Sequence, residues 1–138
     1  MKLGIYINKN KENLKSIIDV ICNEFSSIKD EIIYLNEQEF VSDLINMPIP
    51  STSKDISYDI LITIGGDGTI LSAIRSEYQK EKPILGIHAG KLGFLAEADI
   101  ANCREVLQSI KKSEFKVEAR SLFEIYLSDN KKSKYICA

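Results

Sequence analysis

The chain has 138 residues, of which 44% are hydrophobic and 28% charged, and its formal net charge is −2. These values are ordinary for a soluble globular protein with a hydrophobic core. A slightly acidic chain has no broad electrostatic attraction to nucleic acid or to an acidic membrane surface, so neither is expected as a partner. We see no signal peptide and no apolar stretch of membrane-spanning length, and we expect a cytoplasmic protein.

Strand-like and helix-like segments alternate along most of the chain. Runs of β-type residues predict strands, and apolar residues at helical spacing predict helices. The predicted elements, in chain order, are strand Leu3–Asn8, helix Lys11–Ser27, strand Glu31–Leu35, helix Glu37–Ile45, loop Met47–Ser57, strand Tyr58–Ile64, helix Thr69–Gln79, strand Pro83–Ile87, loop His88–Asp99 and helix Ala101–Lys112. This alternation predicts an α/β fold with a Rossmann-like parallel sheet and helices on both faces.

The character of the sequence changes near Phe115. Two strand-like runs flank a polar turn at Asp129–Ser133 with no helix between them, which predicts a β-hairpin. We therefore assign residues 1–117 to an α/β nucleotide-fold domain and residues 118–138 to the start of a β-rich second domain. The chain ends within the apolar run Tyr135–Ala138, so we expect it to be part of a longer protein.

The three cysteines, Cys22, Cys103 and Cys137, lie far apart in the sequence and form no CxxC pair. This spacing argues against a disulfide framework and against a structural zinc site. Cys22 falls on an apolar helical stripe, which indicates a buried thiol. We name no metal-ligating residue from the sequence.

The segment Ile60–Ile74, ILITIGGDGTILSAI, places a glycine-rich turn between a buried strand and a helix. In open α/β sheets, ligands bind at the carboxyl edge, where such turns lie. Glycines can adopt positive φ angles and admit another molecule close to the backbone, and a helix N-terminus favours phosphate. Thr69 is an N-cap or an early helix residue. The alternative is a tight turn in which Asp67 only caps the helix.

Two common nucleotide-binding motifs are absent. The GxGxxG pattern fails because Leu71 stands where the third glycine is required. The P-loop pattern fails in Gly86–Leu92, which is one residue short and has Leu92 where Ser or Thr would bind magnesium. A nucleotide would therefore be bound by a different arrangement.

Two motifs together resemble a known family. GGDGT at Gly65–Thr69 is similar to the signature shared by NAD kinases, diacylglycerol and sphingosine kinases and, more loosely, phosphofructokinases. PILGIHAGKLGFLAEAD at Pro83–Asp99 resembles the G-x-N-x-G-x-L-G-F-L segment of NAD kinases, whereas lipid kinases have an LPLGTGND-like segment there. The stretch Glu118–Leu127 also fits NAD kinases. The resemblance therefore extends over almost the whole chain.

The resemblance implies phosphorylation of the 2′-hydroxyl of the adenosine ribose of NAD, giving NADP, with ATP or polyphosphate as phosphoryl donor. It also implies a divalent metal ion, usually Mg²⁺, and a homodimer or homotetramer. By motif position, Asp67 is the implied proton acceptor and ribose contact, and its carboxylate could equally hold a metal ion. Gly66, Gly68 and Thr69 would line the phosphate-binding turn, and Phe94 would contact the NAD adenine or ribose.

Two residues depart from the family pattern. His88 stands where the family more often has Asn, and as a lone loop histidine we interpret it as structural or solvated. Ser72 stands where many members have Arg or His, and loss of that cation should weaken phosphate binding. For Phe94, packing in the core is a serious alternative to ligand contact. Lys91, Glu97 and Asp99 are more typical of exposed loop residues than of ligand-binding ones.

Two other functions remain open from the sequence. A lipid kinase would share the GGDGT turn but not the LGFL segment, and a non-catalytic nucleotide-binding module would need no second domain. We expect the 138-residue chain alone to have little or no kinase activity, because one half of a two-domain cleft would be missing.

Overall fold

The computed structural model describes residues 1–50, 56–77, 81–90, 93–126 and 134–137. The strands are β1 (Lys2–Ile7), β2 (Glu31–Tyr34), β3 (Ile60–Gly65), β4 (Ile84–His88), β5 (Ala98–Asp99), β6 (Phe123–Tyr126) and β7 (Lys134–Cys137). The helices are α1 (Leu14–Glu24), α2 (Gln38–Ile45), α3 (Asp67–Glu77) and α4 (Cys103–Lys111). No helix in these ranges combines the length and the apolar character needed to cross a membrane.

The first five strands form one parallel sheet in the order β2-β1-β3-β4-β5. This arrangement confirms the predicted α/β, Rossmann-like fold. After β1 the chain moves outward to β2 and then returns past β1 to β3, so the strand order reverses between β1 and β3. In open α/β sheets a crevice at the carboxyl edge of such a reversal is the usual ligand position.

One face of the sheet carries a thick aliphatic core. Helices α1 and α4 pack over it, and α2 contributes Val41. Alternate residues of the strands point to this face, as the period of a β-strand requires. The strand residues that build the core are Leu3, Ile5, Ile7, Tyr34, Ile60, Ile62, Ile64, Leu85, Ile87 and Ala98.

The opposite face is covered by α3 and uses small residues. A Cβ added to Gly4 would lie 2.8 Å from the ring of Tyr58, and one added to Gly86 would lie 2.6 Å from Cδ1 of Ile70. These two glycines therefore leave the space in which Tyr58 and α3 approach the sheet closely. Helices on both faces, as predicted, are confirmed.

Element boundaries differ from the prediction in physically simple ways. Helix α1 begins at Leu14 rather than Lys11, because Asn13 has a left-handed backbone with φ 60°. Helix α3 begins at Asp67, two residues before the predicted start, and its predicted end at Gln79 lies outside the described residues. Strand β5 falls in a predicted loop, since two residues paired with β4 are too short a pattern to detect.

The predicted hairpin is confirmed: β6 and β7 pair antiparallel and form a separate two-stranded sheet. Its turn, Asp129–Ser133, lies outside the described residues, and the division at residue 118 stays a prediction. Cys22 and Cys103 are free thiols. Cys22 is half-buried against the core, with Sγ 3.8 Å from the Tyr34 hydroxyl, so the predicted buried thiol is only partly covered.

Candidate functional site

Two hydrogen bonds between Gly66 and Thr69 close the glycine turn. The Thr69 hydroxyl accepts the Gly66 N–H at 3.3 Å, and the Thr69 N–H donates to the Gly66 carbonyl at 2.8 Å. A Cβ added to Gly65 would lie 2.7 Å from Cβ of Thr69, so glycine is needed there for space. No described glycine has a positive φ angle. The turn therefore uses its glycines for close approach, and the predicted left-handed backbone is not adopted.

The Asp67 carboxylate joins the two sequence motifs. Its Oδ2 accepts the Phe94 N–H at 2.9 Å, and its Oδ1 accepts the Leu95 N–H at 3.1 Å. A Cβ added to Gly93 would lie 2.6 Å from Cγ of Asp67, so the glycine of the LGFL segment makes room for the carboxylate. Asp67 therefore holds the loop that follows β4 against the first turn of α3, and it is more than a helix cap.

These hydrogen bonds determine the charge of Asp67. The Phe94 N–H, and after it the Leu95 N–H, holds the pKa of the Asp67 carboxyl below its ordinary value, because both bonds favour the charged form. Asp67 is thus a carboxylate at neutral pH and a weak base. Two carboxylate oxygens have about four acceptor positions, so an incoming hydroxyl can still donate to Asp67.

Phe94 lies on the surface beside this carboxylate. The residue is 97% exposed although its own N–H is bound to Asp67. The alternative that Phe94 packs in the core is therefore wrong. An exposed aromatic ring next to a polar anchor offers a flat contact surface for another ring.

His88 lies at the carboxyl end of β4, directly opposite Gly65 in the sheet register. The side chain is buried, and Nε2 is 3.7 Å from the position of a Cβ added to Gly66. Within the described residues, Nδ1 has no hydrogen-bond partner. Of the two interpretations offered from the sequence, the structural one holds and the solvated one is wrong.

A groove opens on the other side of the α3 N-terminus, at the strand-order reversal between β1 and β3. Its volume is about 210 Å³, and it is lined by residues 6–10, Asn36, Glu37, Gly68, Thr69 and Ser72. Asn36 fixes its floor, because its side-chain amide exchanges two hydrogen bonds with the Ile7 backbone, at 2.8 and 2.7 Å. Sequence reasoning missed this groove, although the polar run NKNKE directly after β1 was a usable signal.

The predicted site residues thus occupy one edge of the sheet. Gly66, Asp67, Gly68 and Thr69 form the turn, and Phe94 lies beside it. Asp99 instead accepts the N–H groups of Ala101 and Asn102 at the start of α4, and Glu97 is exposed. Lys91 lies outside the described residues.

The described residues do not build a metal cage. Among them, no group of three or more histidine, cysteine, aspartate or glutamate side chains is placed to hold a metal ion. Protein-bound Mg²⁺ commonly uses one or two carboxylates together with substrate phosphates. The divalent metal implied by the family resemblance therefore does not fit a site made by these residues alone, and no step below passes through it.

Comparison with known proteins gives a consistent result. The family model for the ATP-NAD kinase N-terminal domain matches residues 29–115. An NAD kinase of Campylobacter lari is 36% identical over 136 residues, which is 98% of this chain and 44% of that protein. An NAD kinase of Clostridium perfringens is 38% identical over 122 residues, 87% of this chain and 41% of that protein. The chain therefore spans less than half the length of these relatives.

A solved structure shares the fold. Yeast NADH kinase, determined in complex with NADH, superimposes with a TM-score of 0.73 at 22% sequence identity. The superposition covers 99% of this chain and 45% of the yeast chain. The described architecture is thus the one found in the corresponding half of that protein.

Proposed function

The chain belongs to the NAD kinase family, and on that basis we propose that the protein phosphorylates the 2′-hydroxyl of the adenosine ribose of NAD to give NADP. ATP or polyphosphate is the phosphoryl donor in this proposal. The observation that carries it is the pair of hydrogen bonds from the Phe94 and Leu95 backbone to Asp67. They join the superfamily's GGDGT turn to the segment by which NAD kinases differ from lipid kinases.

Asp67 acts in this proposal chiefly as an orienting acceptor. Phosphoryl transfer depends mostly on positioning and charge neutralisation, and the hydroxyl proton leaves late. A carboxylate whose pKa is held low is a poor base early in the reaction, but it can bind and aim the ribose hydroxyl. It then takes the proton as the new P–O bond forms and the terminal phosphoanhydride bond of the donor breaks, which releases ADP or a polyphosphate shortened by one phosphate.

The neighbouring residues would position the dinucleotide. The exposed ring of Phe94 is available to the adenine or ribose, and the backbone at Gly66 and Gly68 admits close approach of the substrate. Thr69 closes the turn, and its hydroxyl, which accepts the Gly66 N–H, still has its own proton to donate to a ligand. The assignments of Gly66, Gly68, Thr69 and Phe94 as NAD-binding residues are part of the proposal.

Three further properties belong to the same proposal. A divalent cation, Mg²⁺, would arrive bound to the donor phosphates. The active protein would be a homodimer or homotetramer in the cytoplasm. The second domain would begin near residue 118 and complete the cleft that Phe94 faces.

The test is NADP formation by the natural full-length protein. The protein is incubated with NAD, ATP and Mg²⁺, and NADP is measured with an NADP-specific dehydrogenase. Parallel reactions replace NAD by NADH or by diacylglycerol, and ATP by polyphosphate. We expect NADP from NAD and no phosphorylated lipid. Phosphorylation of diacylglycerol without NADP would transfer the assignment to the lipid kinases, and the 138-residue chain alone should form little or no NADP.

A further inference from the structure

A positively charged side chain, Lys9 from the loop after β1, lines the groove beside α3, and it lies outside the GGDGT motif. The groove is also lined by Ser72, which replaces the Arg or His expected on α3. We propose that Lys9 binds the phosphate chain of the phosphoryl donor in this groove, in place of the cation missing at position 72. The proposal rests on the proposed function for the identity of the donor.

The position of the groove favours a phosphate ligand. It lies at the carboxyl edge where the strand order reverses, and the first turn of α3 forms one side through Gly68 and Thr69. A Cβ added to Gly68 would meet no atom within 4 Å, so the backbone at the positive end of the helix is uncovered there. No side chain separates a ligand in the groove from the helix N-terminus at this residue.

The size of the groove favours the phosphate chain of a nucleotide over its base. Pockets that enclose a drug-sized ligand have volumes of roughly 300–1,000 Å³. The groove, at about 210 Å³, is smaller than this range, and its lining is dominated by Asn, Lys, Glu, Thr and Ser side chains. A polar space of this size suits a phosphate chain better than an adenine ring. Both ATP and inorganic polyphosphate carry such a chain.

Lys9 forms an ion pair with Glu37, which also lines the groove. Its Nζ lies 3.0 Å from Oε2 of Glu37, with half of the Lys9 side chain and about a third of the Glu37 side chain exposed. Exposed ion pairs of this kind contribute little to stability. A phosphate oxygen can therefore replace Glu37 as the partner of Lys9 at small cost. In our proposal, Glu37 keeps Lys9 at the groove until that exchange occurs.

In this proposal, the donor and the acceptor bind on two different sides of the first turn of α3. Asp67 faces the loop after β4, where the ribose would bind, whereas Gly68 and Thr69 face the groove after β1. The phosphoryl group would pass over Gly68, where no side chain stands in its path. Lys9 is thus assigned to donor binding, and Asp67 to acceptor binding.

The experiment compares four variants of the natural full-length protein. Lys9→Ala removes the cation, and Lys9→Arg keeps a positive charge. Lys11→Ala removes an exposed lysine of the same loop that does not line the groove, and Glu37→Gln removes the competing carboxylate. KM is measured separately for ATP and for NAD, and the Kd of inorganic tripolyphosphate is measured by calorimetry. Thermal unfolding shows that each variant is folded.

We expect Lys9→Ala to raise the KM for ATP and the Kd of tripolyphosphate by about tenfold, the size of one lost hydrogen bond to a charged group. The KM for NAD should change by less than about twofold. Lys9→Arg should retain most of the binding, Lys11→Ala should match the wild type, and Glu37→Gln should bind tripolyphosphate a few-fold more tightly.

Three outcomes would overturn the assignment: unchanged ATP and tripolyphosphate binding in Lys9→Ala, an effect on ATP without one on tripolyphosphate, or an effect confined to NAD. A wild-type protein that makes no NADP would refute the proposed function instead. The tripolyphosphate measurement needs no catalysis, so it decides the role of Lys9 in either case.

Discussion

The two faces of the central sheet differ in the size and polarity of their residues. Facing α1 and α4, the strands present large aliphatic side chains such as Ile5, Ile62 and Ile87. Facing α3, the strands present the glycines Gly4 and Gly86, and the buried apolar cluster there is much smaller, with Leu61 beside Tyr58 and Ala73. The first face buries apolar area and stabilises the fold. The face toward α3 buries less apolar area, and its glycines let α3 lie close enough for its first turn to reach the loop after β4.

The two faces of the sheet also differ in their buried polar atoms. Among the described residues, three buried side-chain atoms have no hydrogen-bond partner: Thr63 Oγ1 and His88 Nδ1 lie on the α3 face, whereas Asp30 Oδ2 lies near α4 and forms an ion pair with Lys111 at 3.7 Å. Each unpaired buried polar group costs about 1–3 kcal/mol. An arrangement that lowers stability is expected near a binding site rather than in a purely structural core. The comparison assigns most of the stabilising apolar burial to one face, and our proposed function places the ligand chemistry at the edge above the other.

The largest expected effect is on the aliphatic face. Ile62→Ala should lower the free energy of unfolding by about 2–5 kcal/mol, because Ile62 is fully buried and its truncation leaves a cavity. Urea unfolding of the natural full-length protein followed by circular dichroism measures the change. Ile28→Ala is the control, since Ile28 is 100% exposed and should alter stability by less than about 0.5 kcal/mol. Equal effects of the two substitutions would contradict the division between the faces.

The next effect concerns catalysis at the edge above the α3 face. Asp67→Asn in the full-length protein should reduce turnover by about 10²-fold or more, because the amide cannot accept the ribose proton or both backbone N–H groups. Steady-state kinetics with NAD measures it, and Asp43→Asn, a change at an exposed carboxylate on α2, is the control. Near-normal turnover of Asp67→Asn would remove Asp67 from the catalytic role.

A smaller effect tests the close approach of α3. Gly86→Ala should lower the free energy of unfolding by about 1–3 kcal/mol, because the new methyl would lie 2.6 Å from Ile70 Cδ1 and 3.0 Å from Ala96 Cα. Gly68→Ala meets no neighbour within 4 Å and replaces glycine in a helix, so it should stabilise by up to about 1 kcal/mol. Opposite signs in thermal unfolding support the comparison, and a harmless Gly86→Ala would contradict it.

The smallest expected effect is on the pH at which the Asp67 carboxyl ionises. The pKa of Asp67 is lower in the folded protein than in the unfolded chain. The hydrogen bonds to Phe94 and Leu95 therefore stabilise the fold fully at pH values above the unfolded pKa. This stabilisation is lost as the pH falls through the lower, folded pKa. The amide NMR signals of Phe94 and Leu95 should shift with a midpoint below about pH 3.9, the ordinary value for aspartate. The shift should vanish in Asp67→Asn. A midpoint at or above the ordinary value would refute these hydrogen bonds.

The sequence predicted the parallel sheet well because buried central strands and the helical stripe of α1 are strong local patterns. It also identified the GGDGT turn and the LGFL segment. It did not reveal that Asp67 binds the backbone of that segment, since a main-chain N–H has no letter of its own in the sequence. The groove was missed for a related reason: Lys9, Glu37 and Ser72 come from three distant segments that only the strand order brings together.

The loop that carries Phe94 is fastened at two points. The N–H groups of Phe94 and Leu95 bind Asp67, and the Glu97 N–H donates to the Gly86 carbonyl at 3.0 Å. A segment anchored in this way has already lost most of its conformational entropy during folding. A dinucleotide that stacks on Phe94 would therefore meet a preorganised surface, and more of the contact energy would appear as affinity.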